Sequence, residues 1–469
     1  MSETMPSGAV RLVVIGGGPG GYAAALRAAQ LGAQVTLVER GQVGGTCLNR
    51  GWIPTKVLLS SVEALRKARS GAEVGFSGAE NVVPDWARTQ ERKDQIVSQL
   101  RDGVSLLLRK RNVRVLAGSG RLAGPGRVEV TSAEGATVLD AERVILATGS
   151  EPAMPSFFDF SHPTVVTSTE LLELDTIPSS LLIVGGGAIG CEFLSVFVEL
   201  GTKVTMVEMM PQIVPAEDQR VAKQLQAIFR KRGAEVLVKT KVERVAAYGE
   251  TTVTVELTGG SQVTCEKLLV SIGRRPNSED LGLSDAGVEV DARGFVKVDG
   301  RLQTSAADVY AIGDLTGGML LAHVAYHDGV LAADNCMGAT RERDLRLVPR
   351  CVYTMPEAAA VGLSEDQARE NGFEPITGTF RLGALGKALA LGESQGFVQL
   401  VVDRRTDEIL GANMMGPHMT DLVHEVAVAM KAGMKARELA DLIHAHPTVA
   451  EAVMEAAADV HGESIHIAS

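Results

Sequence analysis

Two glycine clusters in this chain of 469 residues have the residue types and spacing that hold a phosphate group. In the first cluster, Gly16, Gly18 and Gly21 follow a short apolar segment, Arg11–Ile15, and precede an Ala-rich stretch. Because glycine has no side chain, the backbone N–H groups at a helix start can approach a pyrophosphate there. Glu39 ends a second apolar segment, where its carboxylate would accept hydrogen bonds from an adenosine ribose. The region therefore predicts strand, phosphate turn, helix and strand, a unit that binds a dinucleotide.

The same pattern recurs in the middle of the chain. Gly185, Gly187 and Gly190 follow the apolar segment Leu181–Val184, and Glu208 ends the next one. The interval from first glycine to acid is 23 residues in both copies, from 16 to 39 and from 185 to 208. One such cluster alone is also typical of an ordinary turn, but two at matched spacing predict two dinucleotide-binding domains. The duplication extends to two further predicted strands, which end at Gly149 and Gly273.

Length and composition exclude several other classes of protein. At roughly 150 residues per domain, the chain predicts about three domains. Its 45% hydrophobic and 22% charged residues are typical of a folded globular protein, and its net charge of −11 disfavours nucleic acid and anionic lipid as partners. No apolar run reaches the roughly 20 residues of a membrane-spanning helix, and the first nine residues do not resemble a signal peptide. We therefore expect no membrane insertion and a cytoplasmic location, and no metal site is predicted.

A third segment leads to a family resemblance. Residues 309–314 form an apolar run that ends in Gly313 and Asp314, and a helical stretch follows near Leu321, Ala322 and His323. Together with the two glycine clusters, this arrangement resembles the pyridine nucleotide-disulfide oxidoreductase family over essentially the whole chain. The resemblance implies that the first cluster binds FAD, the second binds NAD, and Asp314 hydrogen-bonds the flavin ribityl chain. The cofactor contacts expected in this way are Gly16, Gly18, Gly21, Glu39, Gly45, Thr46, Lys56, Gly149, Gly185, Gly187, Gly190, Glu208, Gly273, Gly313, Asp314, Leu321, Ala322 and His323.

The resemblance also implies the architecture. We expect an α/β protein with two Rossmann-like dinucleotide-binding domains and a carboxyl-terminal α+β dimerisation domain. The expected boundaries are 1–150 and 277–345 for the two parts of the FAD-binding domain, 151–276 for the NAD-binding domain and 346–469 for the dimerisation domain.

The segment that resembles the family's redox centre departs from the family pattern at one position. Relatives have two cysteines five positions apart, which form a disulfide beside the flavin, whereas this chain has Cys47 and then Trp52. A dithiol relay needs two sulfurs, so the thiol half-reaction is expected to be altered or lost. The helix start could favour a thiolate at Cys47, with an inert small side chain as the alternative. Trp52 is interpreted as a filler of the disulfide space or a stacking surface for an acceptor.

Four other residues are implied in catalysis by the resemblance. Lys56 and Glu192 would form an ion pair near the flavin. His446 precedes Pro-Thr and has Glu451 five positions later, the pattern of a general base for a substrate thiol and the carboxylate that orients it. In the family this base acts on the partner chain's site, so thiol chemistry would require a homodimer.

Several functions stay open at this point. The leading interpretation is an FAD-dependent NAD(H) oxidoreductase of dihydrolipoamide dehydrogenase type with an altered thiol half-reaction. A lipoyl domain or a small thiol or disulfide would then be its substrate. NAD is preferred over NADP because the four residues after Glu208, from Met209 to Gln212, include no basic side chain for a 2′-phosphate. The alternatives are a soluble pyridine nucleotide transhydrogenase or NADH:acceptor reductase of the diaphorase type, a non-catalytic subunit that binds lipoyl domains, and an engineered replacement at Trp52 in an ordinary enzyme.

Overall fold

The structure is a computed structural model that describes residues 9–467. Its first part contains the first glycine cluster and the segment around Cys47. The elements here are β1 (Arg11–Ile15), α1 (Pro19–Gln30), β2 (Gln34–Glu39), α2 (Gly45–Arg50), α3 (Trp52–Arg69), α4 (Trp86–Lys110), β3 (Arg114–Ala117), β4 (Ser119–Leu122), β5 (Arg127–Ser132), β6 (Gly135–Asp140), β7 (Arg143–Leu146) and β8 (Ser150–Pro152).

The next part contains the second glycine cluster. Its elements are β9 (Val165–Val166), α5 (Ser168–Leu171), β10 (Ser180–Val184), α6 (Ala188–Glu199), β11 (Lys203–Glu208), α7 (Gln219–Lys231), β12 (Glu235–Val238), β13 (Val242–Tyr248), β14 (Val253–Leu257), β15 (Gln262–Cys265), β16 (Lys267–Val270) and β17 (Arg274–Pro276).

The remaining elements return to the first part and then form a separate sheet. They are β18 (Val309–Ala311), α8 (Ala322–Cys336), β19 (Arg350–Val352), β20 (Glu357–Gly362), α9 (Glu365–Glu370), β21 (Pro375–Arg381), α10 (Gly386–Ala390), β22 (Phe397–Asp403), β23 (Ile409–Gly416), α11 (Met419–Ala432), α12 (Ala436–Ala440) and α13 (Glu451–Asp459).

Two five-stranded parallel sheets carry the two glycine clusters. Their strand orders are β18-β7-β1-β2-β3 and β12-β11-β10-β16-β9. Strands β1 and β10 lie at the centre and are almost fully buried, as expected for parallel sheets with both faces covered. Antiparallel sheets β4-β5-β6 and β13-β14-β15 and the pair β8-β17 lie beside them. The predicted fold class is therefore confirmed, while the predicted domain boundaries stay predictions.

The two clusters have the same backbone geometry. Gly16 has φ +105° and Gly185 has φ +106°, a conformation that other residues rarely adopt. A Cβ at Gly21 would lie 1.8 Å from the Gly16 oxygen, and one at Gly190 would lie 2.1 Å from the Gly185 oxygen. The third glycine of each cluster is thus required for close packing of helix on strand. The internal duplication predicted from spacing is present in three dimensions.

The carboxyl-terminal part is built differently. Strands β19-β20-β23-β22-β21 form one antiparallel sheet, and the buried faces of α11 and α13 pack against its hydrophobic core. Within residues 9–467, no helix has the length and apolar character needed to span a bilayer.

Candidate active site

A cavity of about 1330 Å³ connects the carboxyl ends of the two parallel sheets. Glycines and acids of both clusters line it, as does the α2–α3 segment that contains Cys47, Trp52 and Lys56. Ligands of open α/β sheets bind at this end of the strands. Most of the residues expected to contact a cofactor line the cavity, and the exceptions are Gly21, Gly190 and His323. The two glycines act in packing instead, and the His323 imidazole contacts the Pro349 oxygen at 3.0 Å.

Glu39 and Glu208, the acids that follow the two glycine clusters, are held in the same way. Glu39 accepts hydrogen bonds from the backbone N–H of Gly17 at 2.6 Å and of Gly41 at 2.7 Å. Glu208 accepts equivalent bonds from Gly186 and Met210, both at 2.7 Å. Each carboxylate oxygen keeps a further lone pair, which is available for a ribose hydroxyl. The backbone bonds fix both carboxylates at the edge of the cavity.

Asp314 belongs to a small polar network that sequence reasoning found only in part. The Ser150 hydroxyl donates to Asp314 at 2.5 Å, and Arg274 donates to the Ser150 hydroxyl and carbonyl, both at 2.7 Å. Burial lowers the pKa of the Arg274 guanidinium, while Asp314 opposes that shift. Arg274 and Ser150 were missed, although each directly follows a glycine, Gly273 and Gly149, at which a predicted strand ends. A polar residue after a strand-end glycine is the signal that could have identified them.

Lys56 and Glu192 form an ion pair across two helices. The Lys56 Nζ of α3 lies 2.7 Å from the Glu192 Oε2 of α6, and the carboxylate is almost buried. Glu192 also accepts a bond of 3.1 Å from the backbone N–H of Tyr353. The ring centroids of Tyr353 and Trp52 lie 4.1 Å and 5.1 Å from Nζ. Tyr353 was missed because nothing in its sequence spacing connects it to Lys56.

Cys47 is the third residue of α2 and is half-buried. Burial raises the pKa of its thiol to about 11, and the nearby Lys56 only partly offsets this effect. Of the two interpretations left open above, this direction favours an inert side chain over a thiolate at Cys47. Helix α2 has only six residues, and desolvation of the charged form is the largest cause of the shift.

No second thiol is bonded to Cys47. All five cysteines lie within the described residues and are free: Cys47, Cys191, Cys265, Cys336 and Cys351. Cys351, on β19, also lines the cavity, and burial raises the pKa of its thiol to about 12. The remaining three are buried.

His446 and Glu451 are paired but lie apart from the cavity of their own chain. The His446 Nδ1 is 2.8 Å from Glu451 Oε1, and the Thr448 N–H donates to the other carboxylate oxygen at 2.8 Å. The imidazole side chain is 79% exposed. The side chain of the neighbouring His444 is only 6% exposed, and its Nε2 lies 2.7 Å from Glu425 Oε1. Burial lowers the pKa of His444, but its bonds to Glu425 and the Leu442 oxygen outweigh this effect and raise it overall.

Comparison with known proteins establishes the class. Residues 10–329 match the pyridine nucleotide-disulphide oxidoreductase family, and residues 348–457 match the dimerisation domain of that family. The chain belongs to this family. It is therefore a flavoprotein oxidoreductase that uses FAD and NAD(H), and its dimerisation domain supports a homodimer.

Individual relatives are similar over nearly the whole chain. A dihydrolipoyl dehydrogenase from Thermus scotoductus is 42% identical, covering 97% of this chain and 98% of the relative. One from Bacillus subtilis is 40% identical with the same coverage. Among solved structures, LpdA from Mycobacterium tuberculosis has a TM-score of 0.90 at 29% identity, covering 96% of this chain and 99% of that chain. The HOCl-induced flavoprotein disulfide reductase RclA from Escherichia coli has a TM-score of 0.86 at 30% identity, with the same coverage.

The residues present fit both cofactors. Gly18 and Gly187 directly precede helices α1 and α6, and no side chain of the described residues caps either start, so backbone N–H groups there are available for a pyrophosphate. A Cβ at Gly187 would meet no atom within 4 Å, so this helix start is open to a ligand. The same cavity connects both helix starts with Lys56 and Asp314.

Proposed function

We propose that the protein is an FAD-dependent NAD(H) oxidoreductase of dihydrolipoyl dehydrogenase type in which the thiol–disulfide half-reaction is altered or lost. Electrons from NADH would then leave the flavin directly for an acceptor such as a quinone or a dye. The observation that carries this proposal is Trp52, which occupies the position of the second redox cysteine beside a Cys47 whose thiol is free.

Two features of the site act against the thiol half-reaction. Exchange with a disulfide requires a thiolate, and at neutral pH a thiol with a pKa of about 11 is almost entirely protonated. Release of a mixed disulfide then requires a second sulfur close to the first. Cys351 is the other cysteine of the cavity, but burial raises its pKa even further. A lipoyl domain or small thiol as substrate stays a prediction.

The parts of the site that serve NADH and FAD are intact. FAD supplies, when bound, a two-electron carrier between the nicotinamide and an acceptor. Lys56, paired with Glu192, would present a positive charge to the flavin ring, and Asp314 would hold the ribityl hydroxyls. Glu39 and Glu208 would hold the two adenosine riboses through the oxygens that the backbone N–H groups orient. Glu208 would also repel a 2′-phosphate, which supports NAD over NADP.

The Glu208 carboxylate also argues against a transhydrogenase, because a transhydrogenase must bind NADP as well as NAD. A non-catalytic subunit is disfavoured because the Lys56–Glu192 pair and both fingerprints are formed. His446, exposed and outside its own chain's cavity, would act across the dimer on any thiol substrate that remains. A cytoplasmic location stays a prediction of the sequence.

The proposal is tested by anaerobic stopped-flow reduction with NADH, followed by mixing with lipoamide, a quinone or oxygen. We expect rapid oxidation by the quinone and very slow oxidation by lipoamide. Cys47→Ser is the matched control, and its quinone turnover should equal that of the wild type. Lipoamide turnover that is fast in the wild type and lost in Cys47→Ser would contradict the proposal.

A further inference from the structure

The Lys56 ammonium is surrounded by one carboxylate and two aromatic rings. Glu192 binds it at 2.7 Å, and the ring centroids of Tyr353 and Trp52 lie at 4.1 Å and 5.1 Å. Both distances are within the roughly 6 Å at which a cation is attracted by an aromatic face. The Lys56 side chain is only 25% exposed, so water screens these contacts weakly. The charge is thus contacted from its own helix α3, from α6 and from the residue that follows β19.

The contact with Trp52 follows from helix geometry. Positions 52 and 56 are four residues apart in α3, so their side chains lie on the same face of the helix. A cysteine at position 52 has no aromatic face to offer the ammonium. The replacement that removes a sulfur therefore adds a contact to the lysine one turn later.

Tyr353 contacts both members of the ion pair. Its ring faces Lys56, and its backbone N–H donates to Glu192 Oε1 at 3.1 Å. Glu192 is consequently held on one oxygen by Tyr353 and on the other by Lys56. Tyr353 directly follows β19, so the carboxyl-terminal part of the chain helps to fix this ion pair.

We propose that Trp52 and Tyr353 are positioning residues that form an aromatic clamp on Lys56 and hold its ammonium toward the bound flavin. Lysine has a flexible four-carbon stem, so an unclamped ammonium would occupy several rotamers and spend less time beside the ring. Trp52 is then more than a filler, because it fixes the charge that assists reduction of the flavin. The inference rests on the proposed placement of Lys56 beside the flavin.

The test compares four variants: Trp52→Leu and Tyr353→Leu, which remove a ring, Trp52→Phe, which keeps one, and Phe76→Leu, which removes an exposed ring outside the cavity. We expect the rate of flavin reduction at saturating NADH to fall about three- to tenfold in the two ring-removing variants, with Kd for NADH unchanged. The midpoint potential of the bound flavin should become more negative, because a cation stabilises the reduced, anionic ring. Trp52→Phe and Phe76→Leu should retain values close to wild type.

A double-mutant cycle separates the clamp from ordinary packing. In a Lys56→Met background, Trp52→Leu and Tyr353→Leu should have no further effect on the potential or the rate, because the cation on which they act is gone. The inference would be overturned if the effects of the ring-removing substitutions on the rate and the potential simply added to that of Lys56→Met. It would also be overturned if neither ring-removing variant changed the potential. If the wild type is not reduced by NADH at all, the proposed function fails, and the potentials still test the clamp.

Discussion

The two glycine fingerprints and the Cys47–Trp52 segment face the same cavity but differ in what they retain. Each fingerprint has its positive-φ first glycine, its close-packed third glycine and its acid bound by two backbone N–H groups. The cysteine segment keeps its helix and Lys56 but has a single sulfur, and burial raises the pKa of that thiol. Cofactor binding depends on backbone geometry, whereas a dithiol relay depends on one particular atom. A single substitution can therefore remove the relay and leave the cofactor sites unchanged.

The largest effect is expected from restoring the second sulfur. Trp52→Cys should form a disulfide with Cys47, because position 52 then supplies the thiol that completes exchange. Lipoamide turnover should rise from background by several orders of magnitude, since loss of a nucleophile costs on that scale. The measurements are lipoamide-dependent NADH oxidation and thiol titration. Trp52→Ser is the control, because serine is similar in size to cysteine but has no thiol, and this variant should stay inactive with lipoamide.

A Trp52→Cys variant that forms the disulfide but does not turn over lipoamide would show that the missing sulfur is not the reason for the lost activity. It would mean that the pocket has diverged to another substrate, and the dihydrolipoyl assignment would be wrong.

The next effect concerns the base across the dimer. In the Trp52→Cys background, His446→Gln should lower lipoamide turnover about 10²- to 10⁴-fold, because general-base catalysis contributes on that scale. Quinone turnover should not change, since the exposed imidazole lies outside its own chain's cavity. Mixed dimers of Cys47→Ser and His446→Gln protomers, both in the Trp52→Cys background, should recover activity if the site is shared. Full lipoamide turnover by a monomer would contradict a shared site.

The protonation state of Cys47 predicts slow alkylation. Burial raises the pKa of this thiol from 9.0 to about 11, so at pH 7 it has about a hundredfold less thiolate than an unperturbed cysteine. Because only the thiolate reacts, alkylation by iodoacetamide should accelerate about tenfold per pH unit from pH 7 and level off near pH 11. Mass spectrometry of Cys47 as a function of pH measures this. A rate at pH 7 equal to or above that of a short cysteine peptide would show that burial does not raise the pKa of this thiol.

The smallest effects are expected at Glu39 and Glu208, where equivalent substitutions should each weaken the binding of one cofactor. Glu208→Gln should weaken NADH binding about tenfold, because the negative charge is lost and glutamine has one acceptor oxygen for the two N–H groups of Gly186 and Met210, and should leave FAD retention unchanged. Glu39→Gln should have the reverse effect, with weaker FAD retention and unchanged NADH affinity of the fully loaded protein. Titration with NADH and dialysis against FAD-free buffer measure the two quantities. Equal effects of both variants on both cofactors would contradict separate sites.

Backbone-determined features were the ones that sequence reasoning could predict. The spacing of Gly16 and Gly185 from their acids placed two equivalent strands and helices, because each glycine is required by a turn that tolerates no other residue. The pair of Lys56 and Glu192 was also anticipated, through the family resemblance, and the structure brings the two side chains within 2.7 Å.

Features that depend on packing between distant segments were not predictable. Tyr353 lies about 300 positions from Lys56 along the chain, and only the placement of β19 beside α6 brings them together. The sequence left the state of Cys47 open for the same reason, since it identifies the helix start but not the depth at which the sulfur is buried. Arg274 and Ser150 meet through the short β8-β17 pair, whose register was not anticipated.

Anaerobic titration of the purified wild-type protein with NADH tests the central claim most directly. If Trp52 has removed the dithiol relay, one equivalent of NADH per FAD should bleach the flavin from the first addition, and no long-wavelength thiolate-to-flavin charge-transfer band should appear. If two electrons are first consumed without bleaching and that band develops, a second thiol partners Cys47 and the account of a lost relay is wrong.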